Sequence, residues 1–491
     1  MSIVNDIEKN QTRFYLYMWL CIFLYVVITA LFIQVIALPY LFPSWHAGQG
    51  LLEGGDWIAY HNIAINVSER IQSEGWSVWE LRPREQAPAG IAALIYTLTG
   101  IKQPWMFLPI NAFLHASSAL VLLLVVKKVT GSNKYAAWAI IPFVFFPTNM
   151  IWNASLHKDG FFIAGSLLFI YGFIQFAETN NTDKFKHIIR FKHILIGFPA
   201  IISGILLVWI VRPYGTEMLL YIAFFIAIPL TIFLITKLRH NQLLWLNIII
   251  LWISLFLLLP LTRTGVHHEY VKSNIEYAMG QYTGIIAANI QHEITQEKTD
   301  QSILSKRSTN GIQNNTEQRK WHTTPFIPEP VDDTLYTLSV MRNRYRELKP
   351  DAKSNVDVNV KFTSAGDIIT YIPRALQIGL FSPFPNQWFE RGKLGSTTLM
   401  RRVSAFEMVI IYFALFFSCF ALWLWRKIVA IYITYGFTIG MILTYALVVV
   451  NVGTLHRMRY GFIMTLVAFG LAAMAFFIDQ RKKLKKEVDS G

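Results

Sequence analysis

Charge is scarce in this chain. Only 15% of its 491 residues are Asp, Glu, Lys or Arg, while 54% are hydrophobic and the mean hydropathy is +0.40. A soluble domain carries about a quarter charged residues, so the shortage excludes an ordinary water-soluble globule. Cysteine is scarcer still: there are two, Cys21 and Cys419, each inside an apolar run. The loops therefore carry no disulfide, although an oxidising compartment would permit one. No internal repeat is evident, which counts against a transporter built from inverted halves. Acidic residues are the rarer sign, and the formal net charge is +14. In a soluble protein that excess would suggest nucleic acid. Here much of it sits in short loops between apolar runs, where it sets topology instead.

What is abundant is long apolar sequence. A bilayer core of roughly 30 Å takes about 20 apolar residues per helix. Runs of that kind lie near 14–38, 105–126, 135–150, 160–178, 194–211, 215–236, 243–261, 405–425, 428–452 and 460–478. These predict an all-α integral membrane protein with about ten transmembrane helices. The first run exceeds the apolar core of a signal peptide and lacks a small-residue cleavage site, so a retained span is expected.

With the N-terminus in the cytoplasm, the inside loops hold Lys127, Lys128 and Lys134, then Lys184, Lys186, Arg190 and Lys192, then Lys237 and Arg239, then Arg426 and Lys427. The basic tail from Arg481 to Lys486 falls on the same side. This is the positive-inside pattern, and it places both termini in the cytoplasm. Residues 88–101 are apolar but too short to cross, and a crossing there would invert every later loop. A re-entrant or interfacial helix on the outer side is expected for them.

Three blocks follow: a transmembrane module over 1–261 with a first outer loop at 39–104, a large extracytoplasmic loop over 262–404, and C-terminal helices with a basic tail over 405–491. The large loop opens on a Gln/Asn/Thr-rich stretch (290–325). It ends on an apolar, proline-punctuated piece near 368–388, suited to lie on the membrane surface with its aromatics at headgroup level.

The polar residues gather at the outer ends of the spans. In the first loop, Gly54-Gly55-Asp56 leads into Tyr60 and His61, and a helix there sets Asp56, Tyr60 and Ala64 on one face. Asp after Gly-Gly is also an ordinary N-cap. His157-Lys158-Asp159 immediately precedes a span. A helix cap and a snorkelling lysine would explain the pair without chemistry, yet a lysine at that depth is also placed to meet a lipid phosphate. Arg212-Pro213-Tyr214-Gly215 makes a tight turn for backbone reasons, and Arg212 with nearby Glu217 allows a simple ion pair. His456-Arg457-Met458-Arg459 precedes the last span. Basic residues on this side run against the positive-inside trend, and a phosphate would account for them, because Arg presents a planar donor fork.

One acid and several cations on a single membrane face suit transfer from a lipid-phosphate donor. A base near the acceptor hydroxyl raises its nucleophilicity, and cations stabilise the departing phosphate. Direct attack by the carboxylate would instead retain anomeric configuration, and both routes stay open.

Gly55 to Tyr60, with Pro88-Ala89-Gly90 before an apolar stretch ending Thr99-Gly100, and the outer Lys158-Asp159 pair, resembles the GT-C class of polyprenyl-phosphate-sugar-dependent glycosyltransferases. Dolichyl-phosphate-mannose mannosyltransferases and lipid A aminoarabinose transferases belong to that class. The resemblance covers the layout of residues 10–260. It implies that Asp56 is the catalytic base and that Lys158, Arg212, Arg457 and Arg459 contact the donor phosphate, with Tyr60, His61, His157, Asp159, Glu217 and His456 in support. It implies a polyprenyl-phosphate-linked sugar as donor, and a glycan, lipid or protein as acceptor. It also implies a site open to the extracytoplasmic face of a bacterial inner membrane. The chain departs from the class in having one clear Asp in the first loop and its long loop between spans seven and eight. No metal ligand set is assigned and no cofactor is firmly implied, and a divalent metal is left open. Two alternatives stand beside this expectation. One is an O-antigen polymerase or ligase with a diphosphate-linked donor, which would use Arg342, Arg344 and Arg346. The other is a lipid flippase or transporter, which would carry ionisable residues inside its spans.

Overall fold

The structure, a computed structural model, describes residues 2–178, 186–238, 244–263, 321–348, 352–392 and 395–490. Lys184, Arg239 and the polar stretch as far as residue 320 lie outside them. Among the described residues the regular structure is helical, with isolated bridges such as His46–Leu52 in place of strands.

Among the described residues, nine helices are long and apolar enough to cross a membrane: Gln11–Leu41, Pro104–Thr130, Asp159–Phe176, Lys192–Val211, Pro213–Leu238, Leu244–Thr262, Gly395–Leu424, Val429–Val448 and Tyr460–Asp489. The protein is an integral membrane protein of all-α class. The run expected at 135–150 is not a straight span. It forms two helical pieces, Asn133–Phe145 and Pro147–Asn153, bent by 61°. Proline is the cause. Pro147 has no N–H to donate and drives the preceding Phe146 to extended backbone (φ −60°, ψ 126°). Counted as one crossing, the bent pair restores ten. The segment expected to be re-entrant or interfacial is the helix Ala87–Thr99, 13 residues and so about 20 Å long. That is well short of a bilayer core.

The chain divides into two compact units. The first gathers 1–264, 374–446 and 452–491, and the second 265–373 with 447–451. Within the first unit, the helices Asp159–Phe176 and Lys186–Val211 pack with their backbones nearly touching. A Cβ built on Gly165 would stand 2.5 Å from the Gly204 carbonyl oxygen, and one on Gly172 would stand 2.8 Å from that of Gly197. Without a hydrophobic driving force between helices in lipid, small residues that permit such approach are what holds a pair together. The consequence reaches the helix ends: the start of one helix, Asp159, meets the end of the other, Arg212.

In the second unit the helix Glu329–Leu348 is tied down by Arg342, which is 1% exposed. Its guanidinium donates to the carbonyls of Val360 (3.2 Å), Leu447 (2.9 Å) and Asp357 (3.1 Å), and to the Tyr371 hydroxyl (3.3 Å). The rings of Phe362 and Tyr371 cover it at 5.0 and 4.8 Å. Arg346 donates to Asn343 within the same helix. In the apolar piece from 368, the helix Ala365–Phe381 buries Ile368, Tyr371, Ala375 and Ile378 at helical spacing and leaves Ile369 and Phe381 exposed.

Candidate functional site

The loop before Asp56 is folded so that the helix must start there. Gly54 takes positive φ (+85°), and Gly55 lies under the Trp57 ring, where a Cβ would fall 2.0 Å from a ring carbon. Trp57 reaches back to donate its indole N–H to the Leu52 carbonyl at 2.7 Å. Gly55 is the N-cap, and Asp56 is the first residue of the helix Asp56–Glu74. Its carboxylate is therefore not used as the cap. It accepts from Arg457 Nη2 at 3.1 Å with half of its side chain exposed.

His61, one turn on, serves the scaffold. Its Nδ1 faces the Tyr96 hydroxyl at 2.9 Å and its Nε2 faces Gln49 Oε1. The Gln49 oxygen only accepts, so the proton sits on Nε2 and the tyrosine donates to Nδ1. Burial lowers this imidazole to about 4, so His61 stays neutral and ties the 46–52 loop to two helices. Further along the loop, Arg82 donates to the Trp209 carbonyl at 2.9 Å and stacks on its ring. Arg84 and Glu85 hold consecutive left-handed backbone (φ 48° and 66°), a conformation that costs non-glycine residues free energy.

Asp159 is the centre of the cluster. It is 4% exposed and begins the helix Asp159–Phe176. Arg212 donates to its Oδ1, and the Arg212 guanidinium also lies 4.9 Å above the Phe162 ring. Its Oδ2 is 2.6 Å from His157 Nδ1 and 3.5 Å from Arg457 Nε. Arg457 thus stands between the two carboxylates of Asp56 and Asp159. Burial works against the charge of Arg457, but those carboxylates outweigh it and raise its pKa above the ordinary value. His157 is packed between Trp57 (6.0 Å) and Trp152 (6.3 Å, stacked). Burial lowers its pKa in spite of Asp159, so it is neutral near pH 7. Lys158 projects over the Tyr60 ring at 5.5 Å.

The remaining sequence candidates lie differently. Arg459, two residues from Arg457, is fully buried and donates to the carbonyls of Ile378 (3.2 Å), Gly379 and Ser382. It caps the end of the helix Ala365–Phe381, where the last carbonyls need donors, and its fork is committed to backbone. His456 is buried against the Trp152 edge (6.1 Å), and burial lowers it to about 3. Glu217 accepts from Tyr221 at 3.2 Å.

Two features escaped the sequence reading. Trp57 and Trp152 wall His157, and no pattern of spacing marks them. Glu407 is 1% exposed inside the helix Gly395–Leu424 and accepts from the Thr148 backbone N–H at 2.8 Å. A lone acid in an apolar run was a usable signal. Beneath Asp159 a small cavity is lined by Asn111, His115, Asn149, Asn153 and His157. Among the described residues no group of three His, Cys, Asp or Glu side chains is arranged to hold a metal ion.

The cluster provides a half-exposed carboxylate able to accept a proton, beside a guanidinium and an ammonium suited to an anion. Comparison with protein-family models, curated proteins and solved structures returned no match.

Proposed function

We propose that this chain is a membrane glycosyltransferase that moves a sugar from a polyprenyl-phosphate donor to an acceptor on the extracytoplasmic face, with both termini in the cytoplasm. The observation that carries the reading is Asp56: a carboxylate left half exposed at a helix start, paired with an arginine that also serves Asp159. In this reading the acceptor hydroxyl attacks the anomeric carbon while the carbon–oxygen bond to phosphate breaks. Asp56 takes the hydroxyl proton, and polyprenyl phosphate departs with the bonding electrons. Arg457 and Lys158 receive its growing charge. Asp159 fixes Arg212 and Arg457, so its role is to position cations. Arg459 is left out of the donor site, because it is fully buried and both of its terminal nitrogens donate to carbonyls.

The test is release of polyprenyl phosphate from a labelled polyprenyl-phosphate sugar by purified protein, with a crude membrane extract as acceptor source. Wild type should release it, and folded Asp56→Asn should not. Equal release by both would remove Asp56 as base, and no release by wild type would end the reading.

Transport is the second reading, and Glu407 favours it, as a buried acid inside a membrane helix. A lipid-flipping assay in vesicles in which Glu407→Gln is inactive and Asp56→Asn is active would prefer it. The polymerase reading loses Arg342 from its basic element, since that side chain is enclosed among carbonyls and rings.

A further inference from the structure

The cations of the cluster are not equivalent. Arg212 is bonded to Asp159, and Arg457 lies between Asp56 and Asp159. Two guanidinium charges are thereby balanced by two carboxylates. Lys158 is the cation left over. Among the described residues its ammonium has no carboxylate within ion-pair distance, and its contact is the face of Tyr60 at 5.5 Å. The groups that face it are Tyr60 with Asp56 from the first-loop helix, Asp159 from its own, Arg212 from the turn between two spans and Arg457 from the short helix Val452–Met458.

We propose that Lys158 is the docking group for the anionic head of the ligand, and that the site takes up one proton at Lys158 when a singly charged anion binds. The inference rests on the donor-phosphate reading for the identity of that anion, and for the coupling on an ammonium that, among the described residues, has no carboxylate within ion-pair distance and lies against the Tyr60 ring. A part-buried ammonium near two guanidinium groups gives up its proton more readily than one in water. Burial, then Arg212, lower Lys158 to about 7, with Asp56 pulling the other way. Near pH 8 the empty site therefore holds largely neutral amine. An anion set against Lys158 supplies the missing counter-charge and restores the ammonium. Linkage makes this reciprocal: what binds the protonated form better raises its pKa, and each pH unit above the free value weakens binding by about tenfold.

The experiment is isothermal titration calorimetry on the full chain in detergent, at pH 6 and pH 8, each in two buffers of different ionisation enthalpy. The probe is a farnesyl-phosphoryl hexose. This phosphodiester carries one charge throughout, whereas a monoester would add its own ionisation near pH 6. Sulfate is the second probe. Expected are uptake of about one proton per probe at pH 8 and little at pH 6, with affinity falling roughly tenfold between pH 6 and 8. Lys158→Arg keeps its charge at every pH, so it should bind the probe with no proton uptake and a flat pH dependence. Binding without uptake in wild type, or uptake that survives in Lys158→Arg, overturns the coupling and leaves the glycosyltransferase reading standing. Coupled binding of sulfate but not of the prenyl probe sustains the coupling and removes the lipid donor. Failure to bind either probe overturns both.

Discussion

The two ends of the helix Asp159–Phe176 use the same kinds of charge in opposite ways. Past its far end, Glu178 meets Lys128 at 2.9 Å, and in the same region Lys134 meets Asp479 at 2.7 Å with the lysine 61% exposed. Nearby, Lys127 donates to the Tyr15 hydroxyl. The two ion pairs keep 21–61% of each side chain exposed. At its start, Asp159 is 5% exposed in its side chain and is shared by Arg212, His157 and Arg457. Solvated pairs are worth about 0–1 kcal/mol, and a protein can shed them. A carboxylate taken out of water costs several kcal/mol unless every partner is in place, so the buried cluster must be held exactly as it stands by the helices around it. The lesson is that charge at one end answers to topology and at the other to geometry.

The largest effect is expected at Asp56. Asp56→Asn should lower turnover by about 10²–10⁴-fold, the usual contribution of a general base, measured as polyprenyl phosphate release. It should leave the melting temperature in detergent near wild type, since its ion pair is half exposed. Next comes Arg212→Met. Removing one partner of a buried pair should cost about 3–5 kcal/mol, read as a large loss of thermal stability or of monodisperse protein. Arg459→Met should destabilise comparably by leaving three carbonyls without donors, whereas Arg457→Met should reduce activity more than stability.

Acid sharpens the contrast further. His456 and His61 are held neutral, at about 3 and about 4, against 6.5 in an unfolded chain. The unfolded state then binds more protons between those values and pH 6.5. Stability contributed by each histidine is present above pH 6.5 and is lost as pH falls below it, by about 1 kcal/mol per unit. Melting temperature measured from pH 7.5 to 4.5 should fall, and His456→Phe should flatten the slope. The smallest effect belongs to the solvated end: Lys134→Ala should leave melting temperature and activity unchanged.

Much of the cluster around Asp159 was legible as residue type and position. Lys158, Asp159, Arg212 and Arg457 stand at or near span boundaries, where charge has to be justified, and Asp56 opens a helix in the loop after the first span. Their partners were not legible. Glu217 was the sequence neighbour offered to Arg212, and the close approach at Gly165–Gly204 also brings Arg212 to Asp159, 53 residues away. Arg457 and Arg459 read alike, two residues apart on a basic run. The short helix Val452–Met458 ends between them, so one turns to carboxylates and the other to the carbonyls at the end of Ala365–Phe381. The third span was read as continuous because apolar composition does not record a bend, even though Pro142 and Pro147 were there to see.

By itself the sequence determined class: apolar runs of bilayer length leave helices as the economical way to satisfy backbone hydrogen bonds without water. It also determined which boundary residues carry charge. Which of those charges neutralise one another, and which lysine is left over, follows from the packing of the helices. Coulomb attraction depends on distance in space, and Asp56 and Arg457, 401 positions apart in the chain, are neighbours only after folding.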